Sequence, residues 1–213
     1  MRVLIFILAA LSSAQVTFGQ MGPSRLGWVK QGSSLVLFDS SGTLSEEIGL
    51  GRWEDAGSLN ISEMSGAAAA SGRFAWTLDK QTTWNSAHTK AGGSRRLLSF
   101  LGANGREIWT DEQVDTPKEG EPVVLSREGE VALLALPGKE GWKVAVKTYL
   151  VNTLWELSPL SELLEIRLSP NGRFALARWN EPDKSATHTF LDIENKTRKD
   201  IASGDLTLGQ ALI

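Results

Sequence analysis

The chain has 213 residues, 41% of them hydrophobic, with a net charge of −3 and a pI near 5.5. That length buries a core within one domain, and no basic run exceeds Arg95-Arg96, so the cationic stripe that nucleic-acid binding needs is missing. With no cysteine in the chain, disulfides, thiolate chemistry and a lipid-modified N-terminal cysteine are excluded.

At the start, Met1-Arg2 supplies a positive charge and Val3 to Leu11 is an unbroken apolar run. Small residues follow at Ser12-Ser13-Ala14, with Thr17-Phe18-Gly19 as a second cleavage position. This is the plan of a secretory signal peptide over residues 1–19; the apolar run is too short to span a bilayer. The mature chain, residues 20–213, is expected to be secreted or periplasmic, without a membrane span.

Residues 26–48 read as three short strands, Leu26 to Lys30, Ser34 to Phe38 and Thr43 to Ile48, with a turn at Asp39-Ser40-Ser41-Gly42. A phrase then recurs: Ala69-Ala70-Ser71-Gly72-Arg73-Phe74-Ala75-Trp76, Leu125-Ser126-Arg127-Glu128-Gly129-Glu130-Val131-Ala132-Leu133 and Leu168-Ser169-Pro170-Asn171-Gly172-Arg173-Phe174-Ala175-Leu176. Each copy is a polar turn at a glycine followed by an apolar strand-like run. An apolar stretch precedes each turn, and a third and fourth strand follow, the last pair joined by hairpin signals such as Asn104-Gly105. The predicted units are 26–56, 57–113, 114–158 and 159–203, each of four short strands except the first, which lacks its leading strand. Residues 205–213 read as a leading strand without the rest of its unit.

Four-stranded units repeating at about 43 residues are the sequence mark of radially packed blades. The glycine phrase resembles the Ser-Pro-Asp-Gly-Arg-φ-Ala-φ pattern (φ apolar) of WD40-like and TolB-like β-propeller repeats. Leu168 to Leu176 is the nearest copy, with Asn171 where Asp is usual, and the Gly-His and Trp-Asp signatures of true WD40 repeats are absent. The resemblance implies an all-β, β-propeller-like array of about four four-stranded antiparallel blades. Either residues 205–213 complete the first blade and close the ring, or the array is part of a larger one.

The glycine anchors lie 57 and then 43 residues apart, and the excess falls in residues 79–96, read as a long polar loop. Loops on rigid scaffolds carry binding residues, so Trp84, His88, Arg95 and Arg96 are the candidate ligand-binding residues, suited to an anion or polar ligand. His88 and His188 have no Asp, Glu or His at metal-ligand spacing, and neither a metal nor a cofactor is expected. The sequence has no Gly-x-Ser-x-Gly elbow, phosphate-binding loop or dinucleotide fingerprint. The acidic residues Asp111, Glu112, Asp115, Glu119 and Glu121 lie in a turn-rich stretch read as a connector. Of eight Trp residues, Trp76, Trp109, Trp155 and Trp179 are read as packing between sheets. Trp28, Trp53, Trp84 and Trp142 are candidates for an exposed aromatic platform.

These features lead to the expectation of an exported, non-enzymatic binding or protein-interaction scaffold, its partner a protein or a small polar ligand. The alternatives are an exported hydrolase or lyase with channel-mouth carboxylates, or a propeller fragment of a larger enzyme.

Overall fold

A computed structural model describes residues 27–39, 41–54, 60–84, 91–150, 153–181 and 185–202. The expected signal peptide, 1–19, and the expected leading strand, 205–213, lie outside these residues. Every regular element described is a β-strand, in four antiparallel sheets. Sheet I is β1 (Gly27–Gln31), β2 (Ser34–Phe38) and β3 (Leu44–Gly49). Sheet II is β4 (Gly51–Glu54), β5 (Asn60–Ala68), β6 (Ala75–Trp84), β7 (Ala91–Leu101) and β8 (Glu107–Asp111). Sheet III is β9 (Val123–Leu125), β10 (Val131–Gly138), β11 (Gly141–Thr148) and β12 (Thr153–Leu160). Sheet IV is β13 (Glu162–Leu168), β14 (Phe174–Asn180), β15 (Ala186–Asp192) and β16 (Thr197–Ala202).

The expectation of an all-β array of antiparallel units is met, with two differences. β4 pairs with β5 through Gly51↔Met64 to Glu54↔Ile61, so the first and second units divide at Leu50 and sheet II has five strands. The excess residues 79–96 are also largely strand: β6 and β7 pair from Ala75↔Leu101 out to Trp84↔Ala91. Thr82, Thr83 and Trp84 favour extended backbone despite the polarity that made this stretch look like a loop.

The three phrase glycines adopt one conformation, with φ of 71° at Gly72, 78° at Gly129 and 73° at Gly172. In this left-handed region glycine carries no Cβ penalty. Each glycine N–H donates to the carbonyl three residues back (Ala69, Ser126, Ser169), at 2.9 Å in all three turns. The turns also touch one another. Trp28 N donates to Gly72 O at 2.8 Å, Ser71 N to Arg127 O at 3.0 Å, and Arg127 N to Pro170 O at 2.7 Å. A row of backbone bonds therefore links all four sheets at their glycine-turn ends.

Because side chains alternate along a strand, each interior sheet buries both faces. In sheet III, Ala132, Leu134 and Ala145 join the core shared with sheet II, while Leu133, Val144 and Val146 join the core shared with sheet IV. A third core unites sheets I and II through Trp28, Leu35, Leu37, Ala75 and Leu101. Among the described residues, none of these cores joins sheet IV to sheet I.

Candidate functional site

Residues 79–84 and 91–96 of the predicted loop belong to an arm of sheet II built from β4 and the adjoining ends of β5, β6 and β7. Register places Arg52, Glu63, Lys80 and Arg96 in one cross-strand row, and Trp53, Ser62, Gln81 and Arg95 in the next, on the opposite face. Of the predicted site residues, Arg95 and Arg96 thus point to opposite faces. Arg96 pairs with Asp115 at 2.8 Å, beside Lys80 on the same carboxylate at 2.5 Å, and Arg95 meets Glu112 at 3.3 Å. The acidic connector therefore folds back onto the arm. The two guanidiniums expected to hold an anionic ligand already have carboxylate partners. Trp84, half-buried, ends the β6–β7 ladder opposite Ala91, and its Nε1 is buried with no hydrogen-bond partner among the described residues. His88 lies outside the described residues.

The tryptophans divide by environment. Trp76, Trp109 and Trp179 are buried, as is Trp28, whose Nε1 donates to Gly102 O at 2.8 Å. Trp142 and Trp155 pack against the core between sheets III and IV. Trp53 alone of the candidate platform is exposed.

A second surface was missed by the sequence reading. In sheet IV, Phe174↔Asp192↔Thr197, Leu176↔Phe190↔Lys199 and Arg178↔His188↔Ile201 form three cross-strand rows on one face. The opposite face, with Ala175, Ala177, Trp179 and Leu191, is buried against sheet III. The outward face carries a concavity of about 360 Å³, lined by Phe174, Phe190, Ile201, Arg198, Lys199 and Asp192 among others. Phe174 is 38% exposed, with the Arg173 guanidinium 5.0 Å above its ring. The signal that could have found this face was the set of large apolar residues Phe174, Leu176 and Phe190, which strand alternation places on one side of β14 and β15.

Polar groups brace this sheet. Trp179 Nε1 donates to Thr189 Oγ1 at 3.0 Å, Thr189 Oγ1 donates to Asp200 at 2.6 Å, and Arg198 Nε donates to the same carboxylate at 2.9 and 3.0 Å. Burial works to raise the Asp200 pKa, but the hydrogen bonds from Arg198 and Thr189 outweigh it and hold the carboxyl below its usual value. His188, on the outward face, is held below the ordinary imidazole value by burial and by neighbouring Arg178, against an opposing pull from Glu165. No three His, Cys, Asp or Glu side chains among the described residues gather as metal ligands.

Among solved structures, the β-propeller domain of the Trilobed protease from Pyrococcus furiosus matches with a TM-score of 0.52 at 9% identity. The match covers 67% of this chain and 43% of that one. The fold is a β-propeller array. Chains in structures of a mitotic checkpoint complex (TM-score 0.43, 9% identity, 86% of this chain and 62% of that chain) and of a nidogen/laminin complex (0.39, 11%, 79% and 55%) are weaker likenesses. This propeller chain spans less than half the length of the P. furiosus chain it matches. No protein-family model matches the sequence, and no curated protein matches it. No helix among the described residues is long and apolar enough to cross a membrane.

Proposed function

We propose that this propeller array is an exported, non-enzymatic scaffold that binds a protein partner on the outward face of sheet IV. The observation that carries the reading is that face itself: half-exposed aromatic and aliphatic side chains around a concavity of about 360 Å³, with Asp192, Thr197 and Lys199 at its edge. Apolar centres with polar rims are the composition of protein interfaces. The charge pairing on the arm supports the same reading, since Lys80, Arg95 and Arg96 are engaged within the chain. Export rests on the apolar run from Val3 to Leu11.

A photo-cross-linking side chain at Lys199, which is exposed, tests the binding reading. The expected result is a discrete protein adduct that disappears when Phe174→Glu is added. Turnover of ester, lactone or glycoside substrates by the purified chain would replace scaffold with enzyme. N-terminal sequencing of protein recovered outside the cytoplasm should begin after Ala14 or Gly19; a chain retained inside with Met1 intact removes export.

A further inference from the structure

We infer that Asn104 is a site of spontaneous backbone modification, converting through a cyclic imide to aspartate and isoaspartate, while Asn171 is protected by its place in the fold. The two stand in the same local sequence, Asn104-Gly105-Arg106 and Asn171-Gly172-Arg173. Their difference in reactivity therefore comes from structure.

The reaction needs only water. The glycine nitrogen gives up its proton to solvent and attacks the asparagine Cγ. A new N–Cγ bond closes a five-membered imide as the Cγ–Nδ2 bond breaks and ammonia leaves. Water then opens the imide at one of its two carbonyl carbons. Cleavage of the N–Cγ bond gives aspartate; cleavage between that nitrogen and the backbone carbonyl carbon gives isoaspartate, whose main chain runs through Cβ and Cγ. Nothing is oxidised or reduced. Glycine favours the attack because it has no Cβ to hinder its nitrogen or restrict its φ. Ring closure still requires the glycine N–H to leave its hydrogen bond and the turn to shift.

At Asn171 both requirements are opposed. Gly172 N donates to Ser169 O at 2.9 Å, and among the described residues it is the only donor to that carbonyl, so opening the turn orphans Ser169 O. The Asn171 side-chain oxygen is held twice, by Ser169 Oγ at 2.7 Å and Arg173 N at 3.1 Å. Gly172 is buried, and a Cβ there would fall 2.9 Å from Val131 and 3.2 Å from Ser126. The turn is thus wedged between sheets III and IV, where Arg127 N also bonds Pro170 O.

At Asn104 each restraint is weaker. Gly105 N donates to Gly102 O at 3.1 Å, but that carbonyl also accepts from Trp28 Nε1 at 2.8 Å. It stays satisfied when Gly105 lets go. The Asn104 side-chain oxygen is held once, by Arg106 N at 3.1 Å. The nearest obstacle to movement at Gly105 is the end of the exposed Glu46 side chain, which can swing away. The same turn seats sheet II on sheet I through Trp28 and Leu37. Isoaspartate lengthens it by one backbone atom, and either product adds a carboxylate beside Glu46, so conversion loosens this joint.

Incubating the purified chain in mildly alkaline buffer, folded or in urea, tests this. Trypsin separates the two sites as Leu97–Arg106 and Leu168–Arg173. Mass spectrometry reads the exchange of NH2 for OH, and enzymatic methyl transfer reads isoaspartate. In urea the two peptides should convert at equal rates. In the folded chain Leu97–Arg106 should convert about tenfold faster, the extra hydrogen bond and the packed joint protecting its counterpart. Asn104→Gln, which would have to close a six-membered imide, should remove the isoaspartate signal from the folded chain. The converted fraction, isolated by anion exchange, should melt at a lower temperature than the unconverted chain. Equal rates in the folded chain overturn the inference, as does earlier conversion at Asn171 or a folded chain inert at both sites while urea converts both. A converted fraction that melts with the starting material overturns the loosening of the joint.

Discussion

Gly129 and Gly42 share a backbone conformation, with φ of 78° and 79°, yet only Gly129 faces a neighbouring sheet. A Cβ at Gly42 would meet nothing within 4 Å, whereas one at Gly129 would strike Phe74 and Ala69. Gly42→Ala should cost about 1 kcal/mol from the left-handed backbone alone, and Gly129→Ala about 1–3 kcal/mol more from overpacking. Urea denaturation of the two variants checks this, and equal losses would mean that the join tolerates a side chain. Protonation offers a second test at this scale. His188 and Asp200 both have folded-state pKa values below their ordinary ones, 6.5 and 3.8. Their contributions are therefore complete above those values and vanish as the pH falls through the folded ones. Stability should decline in two acid steps, the first beginning below 6.5 and removed by His188→Gln. Asp39 and Asp192 are also lowered, chiefly by hydrogen bonds from Ser41 and Asn195 respectively. They share the lower window, so Asp200→Ala should shrink the second step without abolishing it. At neutral pH the same substitution leaves the buried Thr189 hydroxyl without its acceptor, a loss of about 1–2 kcal/mol in urea denaturation.

At the scale of elements, the arm of sheet II separates two kinds of arginine. Arg95 and Glu112 are 67% and 66% exposed, while Asp115, held by Arg96 and Lys80, is 19% exposed. Arg95→Ala should change thermal stability by no more than about 0.3 kcal/mol, and Arg96→Ala should cost about 1 kcal/mol, less in high salt. The sequence signalled that something was inserted here but not what it was. The count between glycines located the excess, yet a polar hairpin and a polar loop have nearly the same composition. The extra strand β4 was hidden for another reason: Arg52, Trp53 and Glu54 sit on an edge where every residue is exposed, so no apolar alternation marks it. β2 and β10 were legible as continuous apolar runs because both of their faces are buried, and β14 through its alternately buried residues. The pairing of Arg96 with Asp115 and of Arg95 with Glu112 depends on folding back a connector, which no local spacing records.

For the whole molecule, consecutive sheets share cores, I with II, II with III and III with IV. Among the described residues, sheet III contributes to a core on both faces and sheet IV on one. Native-state hydrogen exchange should therefore be slowest in β10 and β11, whose residues 132–135 and 144–146 supply both adjoining cores, and faster in β15 and β16. Uniform protection across the four sheets would contradict this and point to a single cooperative block. The row of bonds from Trp28 through Gly72, Ser71 and Arg127 to Pro170 has a consequence for how such a chain can grow. Since one turn geometry serves as both seat and plug, a duplicated gene segment encoding one glycine turn and its strands would yield a unit already fitted to the neighbours on either side. The chain can then lengthen by whole units without redesigning any existing joint, and its length becomes a heritable variable separate from its fold.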